Sequence, residues 1–310
     1  MIIVKLLGGL GNQMFEYAMA RRLAHRHQTQ LKLDLTNYGS DGDQRARGLE
    51  AFRRKAALHL FNIDAQEATT EEIARLKDPY STRSTRDRIV RRLRRIWPEL
   101  GWPDSHILER QYRFDPAILD LPNNCYLSGY WQSEKYFIDT AELIRRDLTP
   151  RDESVLSYAR EYVDNLKVGG STIISLHVRR GDLAHAAEQL KNSKVVHASP
   201  LGLDYIQAAI RQFDHTCKFL VFSDSVTDIA WCKSNIKADR LHFSEGHSDI
   251  QDMMIMSACD HHIIANSTFS WWAAWLNPRP DKRVISPRVW ANPGESMVTD
   301  DLIPPSWEMI

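Results

Sequence analysis

The sequence predicts an α/β protein built on parallel sheets. The first observation is a short apolar, β-branched run, IIVKLL at 2–7, that gives way at once to glycines and a helical pattern. The second is that strand-like and helix-like stretches alternate through the C-terminal half, which argues for parallel strands covered by helices on both faces. The third is that the polar clusters able to do chemistry follow directly after strands, at the carboxyl ends where such sheets bind ligands.

The elements follow in order. Gly8, Gly9 and Gly11 end the first strand, and a helix is predicted over 12–27 from the spacing of Met14, Tyr17, Ala18, Leu23 and Ala24. LKLDL at 31–35 alternates as a second strand, and 36–48 is a polar, Gly-containing loop. Thr69 with Glu72 suits a capping box for a helix ending at Lys77. A strand at 125–129, a helix at 133–147, Pro150 and a helix at 152–166 lead to Val168-Gly169-Gly170. There the boundary is placed, giving domains 1–167 and 168–310. The second half then reads as strand 172–178, helix 202–213, strand 218–223, helix 226–235, strand 240–243, helix 249–259, strand 262–265, a helix from Ser267, and strand 283–286.

Composition narrows the function. With 40 Lys plus Arg against 40 Asp plus Glu, the chain has no global attraction for nucleic acid, so an anionic ligand needs a local basic site. The 43% of hydrophobic residues excludes disorder. The cysteines at 125, 217, 232 and 259 form no C-x-x-C pair, so they predict reduced thiols rather than a zinc cluster or a disulfide framework. No run of about 18 apolar residues is present to span a membrane, and the N-terminal apolar run is too short for a signal sequence. Residues 83–95 hold seven Arg against one Asp, with Ile89, Val90 and Leu93 on one side. A solvated helix is the ordinary reading of such a stretch; contact with an anionic membrane surface or a lipid-phosphate acceptor is the functional one.

Three constellations could carry chemistry. Gly8-Gly9-Leu10-Gly11-Asn12-Gln13 joins a strand to a helix, where glycines admit a ligand close to the backbone and the helix start offers N–H groups. A dinucleotide fingerprint would require glycine where Met14 stands, although Asp34 ends the next strand as a ribose-binding acid would. His177-Val178-Arg179-Arg180-Gly181-Asp182 ends strand 172–178; alternation sends His177 and Arg179 to one side and Arg180 to the other. Paired guanidiniums at a strand end suit a pyrophosphate, and Asp182 could orient one of them. Finally, Asn266-Ser267-Thr268-Phe269 opens a helix after a strand, with hydroxyls beside N-terminal amides, and Asp252 on the preceding helix could accept both guanine N–H groups. Trp271, Trp272, Trp275 and Met253–Met256 read as core. Asp41-Gly42-Asp43 reads as a loop rather than a metal motif, and at least one of His261 and His262 as a core histidine.

Taken together, these stretches resemble the bacterial α-1,2-fucosyltransferases of glycosyltransferase family 11. The resemblance lies in GGLGNQMFEYA (8–18), LSGYWQSEKYF (127–137), HVRRGDL (177–183), VFSDS (221–225), AWCK (230–233) and DMMIMSACDHHIIANSTFSWWAAWLN (252–277); it is weakest over 36–124. It implies a GT-B-like pair of Rossmann-like domains with parallel sheets and a donor site in the cleft. It implies a GDP-fucose donor, a galactoside acceptor on the N-terminal side, inversion at the fucose anomeric carbon, and no metal or other cofactor.

By the same resemblance His177 and Asp252 bind guanosine, Arg179 holds the β-phosphate, and Ser267 and Thr268 bind phosphate oxygens. Gly9, Gly11, Arg180, Asp182, Asp224, Asn266 and Phe269 complete the donor set. Arg179, Asn12 and Glu16 are the expected catalytic residues, although the family often carries Gln at the position of Glu16. Glu16 and Asp34 are the two acids considered for the base. The acceptor would be an oligosaccharide or a lipid-linked repeat in O-antigen or other surface-polysaccharide synthesis. The protein would be cytoplasmic, peripheral at the membrane's inner face through 83–95. An NAD-dependent oxidoreductase and a non-catalytic sugar-nucleotide-binding protein are the alternatives.

Overall fold

The structure is a computed structural model that describes residues 1–38, 55–77, 89, 93, 105–110, 112–167, 169–180, 201–290 and 300–310. The expectations for Asp41-Gly42-Asp43 and Asp182 lie outside the described residues. Of 83–95 the described residues are Ile89 and Leu93, both helical and exposed. The chain divides into two compact units, Met1–Thr149 with Asp300–Leu302, and Pro150–Thr299 with Ile303–Ile310.

Unit 1 is a parallel five-stranded sheet in the order β3-β2-β1-β5-β4, from β1 (Ile2–Lys5), β2 (Leu31–Asp34), β3 (Gln66–Glu67), β4 (His106–Leu108) and β5 (Cys125–Ser128). β1 is central, with Ile2, Ile3 and Val4 wholly buried, as expected for a strand covered on both faces. Helix α1 (Leu10–Arg26) follows it and is buried over most of its surface, including Met14, Phe15, Tyr17 and Ala18. Its polar anchor is Asp147, which accepts from the Tyr17 hydroxyl at 2.9 Å and from Arg21 Nε at 2.8 Å. Asp147 is itself buried, so these two donors offset its desolvation. Helix α2 (Thr70–Lys77) has the expected capping box: Thr69 N donates to Glu72 Oε2 at 2.9 Å and Glu72 N to Thr69 Oγ1 at 3.2 Å.

The helix expected at 133–147 is broken. Two 3₁₀ turns, Glu134–Tyr136 and Ile138–Thr140, precede a short α3 (Ala141–Asp147). Ser133 caps the first turn, and Phe137, at φ −146° and ψ 7°, departs from helical geometry, with Tyr136 and Phe137 both in the core.

Unit 2 opens with α4 (Glu153–Leu166), capped by Asp152, which accepts from Ser154 N. Its sheet is parallel in the order β11-β10-β9-β6-β7-β8: β6 (Ile173–Val178), β7 (Lys218–Ser223), β8 (Leu241–Phe243), β9 (His261–Ile263), β10 (Val284–Ser286) and β11 (Glu308–Met309). Helices α5 (Leu203–Ile210), α6 (Val226–Asn235), α7 (Asp249–Ala258) and α8 (Thr268–Leu276) connect the strands. α4 packs against α7, and α7 against α8. That packing places α4 in unit 2, so the division falls between Thr149 and Pro150 rather than after residue 167. Trp271, Trp272 and Trp275 are core, as are Met253–Met256.

His262 shows how a polar residue is accommodated in this core. Its Nδ1 lies 2.8 Å from Ser175 Oγ and its Nε2 2.8 Å from Asn277 Nδ2, which also donates to Cys259 O at 2.9 Å. Asn277 donates, so Nε2 accepts and the ring proton resides on Nδ1. Burial pushes the imidazole down to about 3. The folded value lies below the unfolded one, so this group's stabilisation is complete above about pH 6.5 and is lost as pH falls toward 3. The group is expected to steepen the acid limb of stability by up to about 1.4 kcal/mol per pH unit. Urea unfolding from pH 7 to 4 should show a flatter limb for His262→Gln; equal slopes would contradict the neutral assignment.

Candidate functional site

The reversal of strand order in unit 2 lies between β6 and β9, and the crevice of a parallel sheet opens at that point on the carboxyl side. Six expected site residues arrive there from four strand ends. His177 belongs to β6 and Arg179 follows it, Asp224 follows β7, Asp252 lies in the first turn of α7 after β8, and Ser267 and Phe269 follow β9. Ser223 Oγ donates to Val178 O at 2.6 Å, tying the ends of β6 and β7 together.

Alternation operates as the sequence predicts. His177 Nε2 lies 3.8 Å from Asp224 Oδ1, and Arg179 Nε lies 3.9 Å from Asp224 Oδ2, so both side chains share one acid. The His177 ring lies 6.0 Å from the Phe269 ring. His177 Nδ1 is buried and has no hydrogen-bond partner among the described residues, an arrangement that a ligand donor or acceptor would complete. Ser267 caps α8 by accepting from Phe269 N at 3.3 Å, and Thr268 and Phe269 are partly exposed at that helix start. Arg180 points the other way: its guanidinium stands 3.6 Å from the Trp231 ring of α6. The structure thus places Arg180 on Trp231 and Arg179 beside Asp224.

A chain of hydrogen bonds ends on Asp252. Ser244 Oγ donates to Asp252 Oδ1 at 2.6 Å, and with its one proton so used, it accepts from His247 Nδ1 at 2.8 Å. His247 Nε2 then accepts from the Tyr158 hydroxyl at 2.9 Å. The Tyr158 and Tyr162 rings meet the imidazole edge-on at 5.7 and 5.2 Å. Burial raises the Asp252 carboxyl, opposed by the Ser244 bond and by His247 and His177. Ser244 and His247 escaped the sequence reading; their signal was the run FSEGHSDIQD, a strand end leading into the Ser248/Gln251 capping box of α7.

In unit 1 the glycine loop is a tight strand-to-helix turn. Gly8 has φ +68°, Gly9 is the N-cap of α1 in an extended conformation, and Gly11 lies buried within the helix. Asn12 Oδ1 accepts from Gln132 Nε2 at 3.0 Å. Gln13 spans the loop and the segment at 55–57, donating to Lys55 O at 2.8 Å and accepting from Ala57 N at 2.8 Å. Glu16 is fully buried: Oε2 accepts from Leu7 N at 2.9 Å, Oε1 has no partner among the described residues, and burial raises its carboxyl well above the ordinary range. Its burial opposes the charged form that a base requires. Asp34 is equally committed, accepting from the Tyr126 hydroxyl at 2.6 Å and from Thr36 N at 2.9 Å. Asp34 is also fully buried, so it presents no exposed oxygen to a ribose. Among the described residues no three His, Cys, Asp or Glu side chains are grouped to hold a metal ion, and no helix is long and apolar enough to cross a membrane.

Fold and site together define a parallel α/β protein in which a guanidinium, an imidazole, two carboxylates and a capped helix start meet at the carboxyl edge of the sheet. Comparison with known proteins gives the family. The family model for glycosyl transferase family 11 matches residues 1–310, and the chain belongs to that family and is a glycosyltransferase. It is 30% identical to an α-1,2-colitosyltransferase of Escherichia coli over 100% of this chain and 98% of the relative. It is 32% identical to the O-antigen biosynthesis glycosyltransferase WbnK of Escherichia coli over 96% of this chain and 97% of the relative. It is 27% identical to galactoside α-(1,2)-fucosyltransferase 2 of Sus scrofa over 88% of this chain and 68% of the relative. Among solved structures it is similar to the NodZ α-1,6-fucosyltransferase of Bradyrhizobium, at 17% identity and a TM-score of 0.48 over 93% of this chain and 95% of that one.

The Gly8 turn yields a test. A Cβ there would combine a left-handed φ with a contact 2.5 Å from Asn12 Nδ2, whereas at Gly169, φ +81°, nothing lies within 4 Å. Gly169→Ala should therefore cost only the backbone term, about 1–2 kcal/mol. Gly8→Ala should cost measurably more by urea denaturation, the excess reporting displacement of Asn12.

Proposed function

We propose that the chain transfers L-fucose from GDP-β-L-fucose to the 2-hydroxyl of a galactoside, forming an α-1,2 linkage with inversion. The observation that carries the reading is the convergence of His177, Arg179, Asp224, Asp252 and the capped start of α8 at the carboxyl ends of β6–β9. The α-1,2-transferases and the O-antigen glycosyltransferase among its relatives support it.

In this reading Asp252, oriented by Ser244 and His247, accepts the guanine N–H pair, and His177 contacts the nucleoside. Arg179 and the amides and hydroxyls at Ser267–Thr268 receive the diphosphate. The acceptor hydroxyl bonds to the fucose anomeric carbon while the bond from that carbon to the β-phosphate oxygen breaks, and the electron pair leaves with GDP. The growing negative charge falls where a planar guanidinium and a helix start can meet it, without help from a divalent ion. Asn12, whose amide oxygen is held by Gln132, is assigned a catalytic part in this reading. The acceptor is an oligosaccharide or a lipid-linked repeat, the latter reached by a protein working at the inner face of a membrane. The full-length similarity to a colitosyltransferase favours GDP-colitose as a second donor to be tested beside GDP-fucose.

Titration calorimetry should show GDP and GDP-fucose binding, and no binding of UDP-galactose or NAD. Incubation with Gal-β1,3 and Gal-β1,4 disaccharides should release GDP and give a 2-O-fucosylated product, in EDTA as in buffer. Arg179→Lys should lose kcat by about 100-fold or more, because an ammonium lacks the planar fork. Arg180→Lys should lose far less. Absence of GDP binding, or near-normal turnover by Arg179→Lys, would overturn the reading.

A further inference from the structure

Unit 1 holds a half-buried acid at a strand end that the scheme above leaves unused. Glu109 directly follows β4, at the same carboxyl edge as the glycine turn after β1 and the turn after β5. The strand order of this sheet reverses between β1 and β5, so this edge is its ligand-binding side. Glu109 Oε2 accepts from Tyr130 N at 2.6 Å and Oε1 from Trp131 N at 3.1 Å. The turn is shaped around the carboxylate. A Cβ on Gly129 would lie 2.3 Å from Glu109 Cβ and 2.8 Å from Oε2, and Trp131 adopts a left-handed φ of +53°. Such a backbone costs about 1–3 kcal/mol and persists where the surroundings impose it.

Two features suit this acid to a substrate hydroxyl. Each carboxylate oxygen has two lone-pair positions and gives one to an amide, so acceptor capacity remains on both. Glu109 is also only partly buried, unlike Glu16, and its oxygens are held by backbone alone, unlike those of Asp34. Beside it the Tyr130 ring stacks on Tyr112 at 6.0 Å and 22°. We propose that Glu109 is the general base of the transfer: it takes the proton of the acceptor 2-hydroxyl as that oxygen bonds to the anomeric carbon and GDP departs. This rests on the fucosyl-transfer reading given above.

The surroundings fit the role. Burial raises the carboxyl to about 7, against the pull of the Tyr130 and Trp131 amides. The titratable groups that face it are Glu16 from α1, itself held up by burial, and the Tyr136 phenol from the first 3₁₀ turn, pushed up by burial and by the charges of Glu109, Asp115 and Asp301. A base with a value near the working pH combines availability with driving force. Below pH 7 the carboxyl is protonated and cannot accept, so kcat/KM should fall on the acid side with an apparent value near 7.

The test uses the full chain with GDP-fucose and a galactoside disaccharide, following kcat/KM from pH 5 to 9, with GDP affinity and the thermal transition measured on the same preparations. Glu109→Gln should lose about 100-fold or more in kcat and lose the acid limb near pH 7, while binding GDP as the wild type does. Gly129→Ala keeps the carboxylate but displaces it, and should lower kcat while retaining an acid limb at a shifted pH. Should Glu109→Gln fail to fold, Glu109→Asp decides: withdrawal of the carboxylate should cut kcat by about 10-fold or more, and a wild-type rate would overturn the proposal. It is also overturned if Glu109→Gln turns over near normally with the limb intact, or if every loss of rate is matched by a loss of GDP binding and thermal transition. A wild-type chain that transfers no fucose overturns both readings; a failing Glu109→Gln result overturns this one alone.

Discussion

The reversal of strand order in each sheet is the constraint on which the chemistry depends. A parallel strand must be followed by a crossover, and wherever two successive crossovers leave in opposite directions, a gap opens at the carboxyl edge. In unit 2 the chain runs from β6 to β7 and β8, then returns to set β9 on the other side of β6. In unit 1 it runs from β1 to β2 and β3, then returns with β4 and β5 on the far side. Every residue assigned a role here leaves a strand at one of these edges. An acid away from these edges is engaged otherwise: the carboxylate of Asp260, at the opposite edge of unit 2, accepts from Ile173 N, Lys167 Nζ and Arg279 Nη1.

Hydrogen-bond direction then separates structural from reactive polar groups. At Asp252, Tyr158, His247 and Ser244 each use their one transferable proton toward the next, so the chain can deliver only an accepting carboxylate. That polarity suits a ligand edge made of donors, such as two N–H groups of a base, and would repel an acceptor edge. Since the relay is anchored on α4 and α7, whose packing also fixes the unit boundary, the same contact that assigns the helix to unit 2 orients the proposed base-reading acid.

Much of this was legible in the sequence because it depends on period. The two-residue period of an extended chain placed His177 and Arg179 on one side and Arg180 on the other without coordinates. The capping box at Thr69 and the tryptophans of α8 were legible for the same reason: local spacing fixes them. The strands β3, β4 and β11 were not, since they lie outside the regular strand–helix alternation that signalled the equally short β8, β9 and β10. Missing β4 meant missing Glu109, because an acid gains meaning only once it is known to end a strand. Glu16 and Asp34 showed the converse. Their positions after β1 and at the end of β2 were read correctly, but burial and donor partners, which are tertiary, turn both into structural acids. The broken helix at 133–147 failed likewise: Phe137 departs from helical geometry, with Tyr136 and Phe137 both in the core.

Three acids in unit 1 show how environment alone divides one chemical group among roles. Asp34 has both oxygens satisfied by a phenol and an amide, so its charge is compensated and its geometry fixed. Glu16 has a single amide and no access to water, so burial favours the neutral form and the acid serves to close the turn at Leu7. Glu109 has two amides and partial access, and burial outweighs the two hydrogen bonds to raise its carboxyl to about 7. Of the three, only the last can exchange a proton with a hydroxyl and still hold one position in both states. Its anchors are backbone N–H groups, which keep at least one lone pair engaged whether or not the carboxyl is charged. A residue that must change protonation during turnover requires that combination of access and fixed position, and the turn at 129–131 supplies it through a missing Cβ and a left-handed tryptophan.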